Sequence, residues 1–298
     1  MAGVKELRLR IKSVGNIKQI TRAMEMVSTT KLRRFQDRAV ASRPYAEEIT
    51  GLVANLAKVL GDEVDELPLF RKGAGTKTAL LLVSSDRGLC GAYNSNLFVQ
   101  LEEMLKGEQG PNGDDKPDVD YFVYGRKGYQ YLTKLNREVE RFFVEPNLEN
   151  IDYGSAANTA QALSKVFLSG EYAKVEILYT AFESMVRYVP TRLQLLPISA
   201  EALGGKEEDD TAGGDVILEP DAATIFDAVV PRYVETRVYN ALLEALTSEF
   251  ASRRVSMKNA TDAASDMQGE LKQKYNRLRQ ENITKELLDI VGGVEALS

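Results

Sequence analysis

The stretch VKELRLRIKSVGNIKQITRAMEMV, Val4 to Val27, spaces its apolar residues three or four positions apart: Val4, Leu7, Ile11, Val14, Ile17, Ile20, Met24 and Val27. That spacing is close to the repeat at which two helices wind around one another. The pattern resumes at Leu32, Phe35 and Ala39 after a five-residue step, so the expected seam is imperfect. Gly15 weakens the helix by about 1 kcal/mol relative to alanine. Pro44 is expected to bend or briefly interrupt it, with Tyr45–Leu60 as its continuation.

A counterpart lies at the other end of the chain. After Pro231 a stripe runs through Val234, Val238, Leu242, Leu246, Phe250, Met257, Ala260, Ala264, Met267, Leu271, Tyr275 and Leu278, and Gly292–Gly293 reads as its stop. All nine prolines fall between Pro44 and Pro231, which leaves both ends free of the strongest helix breaker. Two such helices pair most simply as a long antiparallel coiled coil, and the edge of a helical bundle is the other reading. The expected division is an N-terminal helix over 1–60, an α/β domain over 75–200 and a C-terminal helix over 222–298.

Between the two ends the period changes. Strands are expected at Thr78–Ser84, Asp120–Gly125, Glu138–Val144 and Ala173–Thr180, with helices at Tyr93–Lys106, Lys127–Asn136 and Ser155–Ser169. Met185–Leu196 suits an edge strand interrupted at Pro190. Alternation of this kind points to an α/β fold with a Rossmann-like, mostly parallel sheet. Lys106–Pro117 and the acidic Gly204–Asp221 read as surface loops.

Composition removes many chemistries. The chain of 298 residues has no histidine and one cysteine, so there is no imidazole base, no Cys–His pair and no thiolate-rich metal site. After the first strand stands Ser85-Asp86-Arg87-Gly88-Leu89-Cys90-Gly91, which lacks the close glycine pair that admits a pyrophosphate. Gly73-Ala74-Gly75-Thr76-Lys77-Thr78 has the wrong spacing for a phosphate loop and precedes its strand. Cys90 reads as a structural thiol, and Asp86 with Arg87 as a local ion pair or a docking contact. Glu102–Glu103 and Glu207–Asp210 sit where solvated charge is expected. No catalytic residues, cofactor site or metal site emerge.

Residues 1–43 carry eleven Lys/Arg against Glu6, Glu25 and Asp37, a balance of +8 on a chain whose net charge is −6. Such an arm calls for an acidic partner. Its charges are interleaved with the apolar stripe rather than gathered in a tail, which disfavours nucleic acid. No apolar run is long enough to span a membrane, and the N-terminus lacks the apolar core of a signal peptide. Residue chemistry alone leaves open an α/β enzyme with a coiled-coil arm and a static coiled-coil scaffold.

Four blocks, in order along the whole chain, narrow the choice. They are Lys12–Val27 with Ala41-Ser42-Arg43-Pro44-Tyr45; the turn Ser85–Gly91; Arg253–Asp262; and Tyr275–Glu286 with Ile290-Val291-Gly292-Gly293. Together they resemble the gamma subunit of the rotary F-type ATP synthases. The resemblance implies a non-catalytic rotor stalk with no cofactor. Its two terminal helices would stand as a shaft inside a ring of alpha and beta subunits, and its α/β domain would contact the epsilon subunit and the c-subunit ring. Ion flow would turn the c ring, and the shaft would force each beta site through different nucleotide affinities. Arg253, Gln280, Thr284 and Glu286 match residues that meet loops of the beta subunits, and Met24 one that faces an acidic region of beta. Ile290–Leu297 matches the end held in an apolar sleeve, and Glu219 a contact with the c ring. Many members have aromatic residues where this chain has Val216 and Leu218. Chloroplast members carry an inserted cysteine pair, so with Cys90 alone their thiol switch is expected to be missing here. The implied location is the cytoplasmic face of an energy-transducing membrane, bacterial or organellar, reached only through the complex.

Overall fold

The computed structural model describes residues 2–107, 118–199, 203 and 222–295. They fall into two compact units, one built from residues 1–30 and 253–298 and the other from residues 31–252. Helices α1 (Ala2–Leu60) and α5 (Ala222–Glu295) contribute to both. The expected loops at 108–117 and 204–221, and with them Glu219, lie outside the described residues.

In the larger unit the chain runs β1 (Lys77–Val83), α2 (Tyr93–Gly107), β2 (Val119–Tyr124), α3 (Arg126–Lys134), β3 (Val139–Phe143), α4 (Tyr153–Leu168), β4 (Tyr172–Phe182) and β5 (Tyr188–Leu196). The sheet order is β3-β2-β1-β4-β5. Every pairing is parallel except β4 with β5. The central strand β1 is buried on both faces, as a parallel strand between helix layers must be. Ala79, Leu81 and Val83 join one core with α4 and parts of α1 and α5, while Leu80 and Leu82 join a second with Leu97, Leu101 and Leu132 of α2 and α3.

Three breaker residues do not break. α1 continues through Pro44 and α5 through Pro231, so α5 begins nine residues before the proline expected to precede it. A proline inside a helix costs about 3 kcal/mol through its missing donor and its steric clash. Burial on both sides opposes that cost: Phe35 precedes Pro44 and Ile49, Val53 and Leu56 follow it, while Phe226 and Val230 precede Pro231 and Tyr233 and Val234 follow it. β5 likewise runs uninterrupted through Pro190, which faces Thr180 of β4. As an edge strand it has an unpaired side, where a missing N–H loses no ladder bond. Gly292–Gly293 is also not a stop, since α5 extends to Glu295; glycine permits a left-handed cap without imposing one.

The smaller unit is a two-stranded antiparallel coil. Lys18 Nζ donates to Ser265 Oγ at 2.8 Å, Thr261 Oγ1 donates to Thr21 Oγ1 at 2.8 Å, and Gly15 lies against Gln268, so partners rise along one helix as they fall along the other. On α1 the inward positions are Val4, Leu7, Ile11, Val14, Lys18, Thr21 and Ser28. On α5 they are Met257, Thr261, Ala264, Gln268, Leu271 and Tyr275. Both series alternate steps of three and four, or whole heptads, the repeat of a left-handed coil.

This corrects the apolar stripe read from sequence. Ile17, Ile20 and Val27 point outward, 50%, 59% and 54% exposed, and Met267 on α5 is 53% exposed. Two consecutive three-residue steps, from Val14 to Ile17 to Ile20, fall short of the helical period and carry the stripe off the seam. The five-residue jump to Leu32 is its return, not a gap in the coil.

Gly15 marks where the polar stretch of the seam begins. A Cβ there would come within 2.9 Å of Gln268 Nε2, the far end of a flexible side chain. Gly15→Ala is therefore expected to stabilise the coil by up to about 1 kcal/mol through helix propensity, Gln268 turning aside. A thermal melt checks this, and a lower Tm would show that Gln268 cannot yield.

Candidate functional site

A doubly wound sheet binds ligands outside the carboxyl ends of its strands, where the strand order reverses. Here that place lies between β1 and β4. Near the end of β4 the buried Thr180 Oγ1 has no hydrogen-bond partner among the described residues, whereas the turn after β1 is hydrogen-bonded to its neighbours. Ser84 Oγ accepts the Gly128 N–H at 2.7 Å and reaches the carbonyls of Tyr124 and Gly125 at 3.0 and 3.1 Å. The Ser85 N–H donates to Asn94 Oδ1 at 3.1 Å, and Asn94 Nδ2 donates to Ser85 Oγ at 2.7 Å and to Cys90 Sγ at 3.2 Å. From above, α5 closes the turn: Ser252 Oγ donates to the Cys90 carbonyl at 2.6 Å, and Tyr93 OH to that of Ala245 at 3.2 Å. Backbone groups that would cradle a phosphate instead hold the protein together.

The remaining chemical candidates resolve similarly. Cys90 is buried, as expected of a structural thiol. Asp86 is not confined to a local pair with Arg87, because its carboxylate accepts the Arg126 N–H that opens α3, at 3.1 Å. Gly73 and Gly75 lie against the start of β4, where a Cβ would come within 2.2 and 1.9 Å of the Tyr172 and Glu171 carbonyl oxygens. They are glycines because of a close backbone approach. Glu102 is gripped by both Arg137 terminal nitrogens at 2.8 Å, and that hydrogen-bonded pair holds its carboxyl below the usual range. A carboxylate stabilised in its charged form is poorly suited to act as a general acid. Among the described residues no cluster of His, Cys, Asp and Glu could hold a metal ion, and no helix is long and apolar enough to cross a membrane.

Exposed helix surface is what remains. Near its start α1 shares a groove with α5, lined by Gly3, Glu6, Leu7 and Arg10 on one side and Lys274, Arg277, Leu278 and Glu281 on the other. Beyond that groove α5 continues as exposed helix. There Ile283, Leu287, Ile290 and Val291, spaced by four, three and one, form a single apolar stripe that is 47–64% exposed. Gln280 and Thr284, one turn apart and both exposed, lead into Leu287 along adjacent positions, and exposed Glu286 lies between Ile283 and Ile290.

The other sequence-derived contacts are placed differently. Met24 is half-buried on α1, its carbonyl accepting Ser28 Oγ at 2.7 Å. Arg253 is only 6% exposed, and it lies 27 residues before Gln280, about 40 Å along the helix. These residues therefore form an upper group, Gln280, Thr284 and Glu286, and a lower pair that is not brought to it. The outward residues Ile17, Ile20 and Val27 belong with this surface. Reading them as seam hid them, although counting heptads from Val4 would have exposed the drift.

Comparison with known proteins agrees with this geometry. A family model described as ATP synthase matches residues 3–297. The ATP synthase gamma chain of Geotalea uraniireducens is 37% identical over 301 residues, covering 100% of this chain and 99% of that one. The gamma chain of Mycolicibacterium gilvum is 40% identical over 317 residues, covering 100% and 98%. Among solved structures, a chain of the Euglena gracilis mitochondrial ATP synthase, in an assembly with the c ring, superposes with a TM-score of 0.67 at 20% identity, covering 99% of this chain and 95% of that one. A chain of the central stalk and c ring assembly of Tetrahymena thermophila gives a TM-score of 0.58 at 24% identity, covering 81% and 99%. With a coiled coil whose apolar surface is turned outward and relatives matched end to end, the chain belongs to the gamma-chain family of the ATP synthases, subunits that are not themselves catalytic.

Proposed function

We propose that this chain turns as the central stalk of an F-type ATP synthase. Ion-driven rotation of a c-subunit ring is passed through the stalk to the nucleotide sites of the beta subunits in an alpha–beta hexamer, or the reverse during hydrolysis. The observation that carries this reading is the bare end of α5. Among the described residues an apolar stripe at Ile283, Leu287, Ile290 and Val291 stands exposed, and a surrounding protein would cover it.

In this reading Gln280, Thr284, Glu286, Arg253 and Met24 meet beta subunits, and the outward Ile17, Ile20 and Val27 add apolar contact beside Met24. Arg253, being buried, acts at the edge of such a contact more than as its centre. The basic character of residues 1–43 suits acidic surfaces on the ring. Glu219 is assigned to the c ring, and the epsilon subunit to the α/β portion. The working division remains the helix 1–60, the α/β domain 75–200 and the helix 222–298. The complex would hold the chain at the cytoplasmic face of its membrane.

The test is reconstitution with an alpha–beta hexamer and a bead attached to the sheet-bearing unit. Stepwise turning of the bead during ATP hydrolysis is the expected result. A hexamer that hydrolyses ATP while the incorporated chain stays fixed would overturn the assignment.

A further inference from the structure

In the larger unit, α1, α5 and the end of β4 enclose a cleft of about 380 Å³, within the span of small-molecule sites, about 300–1,000 Å³. Val40, Phe182 and Leu243 supply apolar wall, and Arg43, Asn240 and Glu244 supply the polar groups. Their hydrogen-bonding capacity is unevenly used. Asn240 Oδ1 lies 3.1 Å from Ser42 Oγ, whose one proton is also within reach of the Ala39 carbonyl at 3.0 Å, and the amide N–H₂ makes no hydrogen bond among the described residues. Glu244 accepts from the Tyr179 hydroxyl and the Phe182 N–H, which use part of its acceptor capacity. The exposed Arg43 guanidinium has Glu244 as a charge neighbour but makes no hydrogen bond among the described residues. Arg43 and Asn240 thus offer unspent donors, one of them cationic, beside an apolar wall. A guanidinium and an amide N–H₂ are matched by an oxyanion, most directly a carboxylate.

We propose that this cleft binds a small amphipathic carboxylate, its charged end on Arg43 and Asn240 and its apolar body against Val40, Phe182 and Leu243. Glu244 sets the pH dependence. The groups facing it are Arg43 from α1, Tyr179 and the Phe182 N–H from β4, and Arg237 on its own helix. Burial, the largest influence, raises its pKa, while the hydrogen bonds and the two arginines act against that rise. Below that pKa Glu244 is neutral and Arg43 is uncompensated. Above it the carboxylate offsets Arg43 and repels a bound anion. Binding should therefore tighten as pH falls.

Calorimetric titration of the full chain in carboxylate-free buffer, with hexanoate and with phenylacetate as probes, tests this. One saturable site is expected, tighter at the lower end of a pH series, while hexanol, which shares the body but lacks the charge, gives no saturable heat. Arg43→Ala, at an exposed position where the fold survives (checked by circular dichroism), should weaken binding at least about tenfold. Arg43→Lys should recover part of it. Glu244→Gln should bind more tightly than the unaltered chain at pH 8 and lose the dependence on pH. No saturable heat with either acid, or equal affinity in Arg43→Ala, would overturn the site. An unchanged pH dependence in Glu244→Gln would overturn the role given to Glu244.

Discussion

Gly125→Ala is expected to unfold the sheet-bearing unit under conditions where the unaltered chain is stable. Gly125 joins β2 to α3 with φ +91° and ψ 132°, a backbone region essentially reserved for glycine. A Cβ there would lie 2.1 Å from the Ser84 carbonyl oxygen and 2.6 Å from Ser84 Oγ, so relief requires moving backbone at the end of β1. Strain and overpacking each cost about 1–3 kcal/mol, against a total stability of about 5–15 kcal/mol. The combined loss should be about 4 kcal/mol or more, at the exceptional end for single substitutions.

Urea denaturation followed by near-ultraviolet tyrosine dichroism reads this directly. The chain has no tryptophan, and of its 13 tyrosines only Tyr275 lies outside residues 31–252. Gly170→Ala is the control. Its φ of +86° carries similar strain but a Cβ would meet nothing within 4 Å, so the cost should stay near about 1–2 kcal/mol. Equal losses in the two variants would show that strain alone, and not the Ser84 contact, makes Gly125 necessary.

Phe35→Ala is expected to cost about 3–5 kcal/mol, the range for emptying a buried aromatic site. Phe35 is fully buried, its ring 5.3 Å from that of Phe250, with the Arg34 and Arg38 guanidinia 5.2 and 6.0 Å from its centroid. The pair joins α1 to α5 within the sheet-bearing unit, so the cavity would loosen the seat of both helices. Phe35→Leu, which keeps most of the volume, should cost under about 1.5 kcal/mol. The same tyrosine-detected titration measures both. A Phe35→Ala midpoint within error of the unaltered chain would mean that the site collapses around the lost ring.

Much of the architecture was legible in local pattern. The 3–4 spacing at both ends and the strand–helix alternation of the middle needed only side-chain period and propensity, and they located the five strands and the helices between them to within a few residues. Absence of histidine likewise settled which nucleophiles could not exist. What failed, failed where distant contacts outweigh local preference. Pro44, Pro231 and Pro190 are breakers on their own terms, yet the burial of Ile49 and Val53, of Tyr233 and Val234, and the edge position of β5 leave each element intact.

The exposed helix surface was legible only in part. Gln280, Thr284 and Glu286 were named through the family's motif, and the structure leaves them exposed. Ile17, Ile20 and Val27 were misread because hydrophobicity identifies a face without saying what covers it.

By itself, then, the sequence determined the two long helices and the α/β middle, and excluded imidazole chemistry, since period, propensity and side-chain chemistry are properties of neighbouring residues. Only the tertiary structure decided that Lys18 and Thr21 hold the seam while Ile17 and Ile20 face outward. It alone fastened α5 to the turn after β1, with Ser252 donating to the Cys90 carbonyl across 162 residues of chain. It alone gathered Arg43, Asn240 and Glu244 around one cleft. The physical reason is common to all three. Which face of an element is buried, and which donor is left unspent, depends on a partner far away in the chain, and no local pattern names that partner.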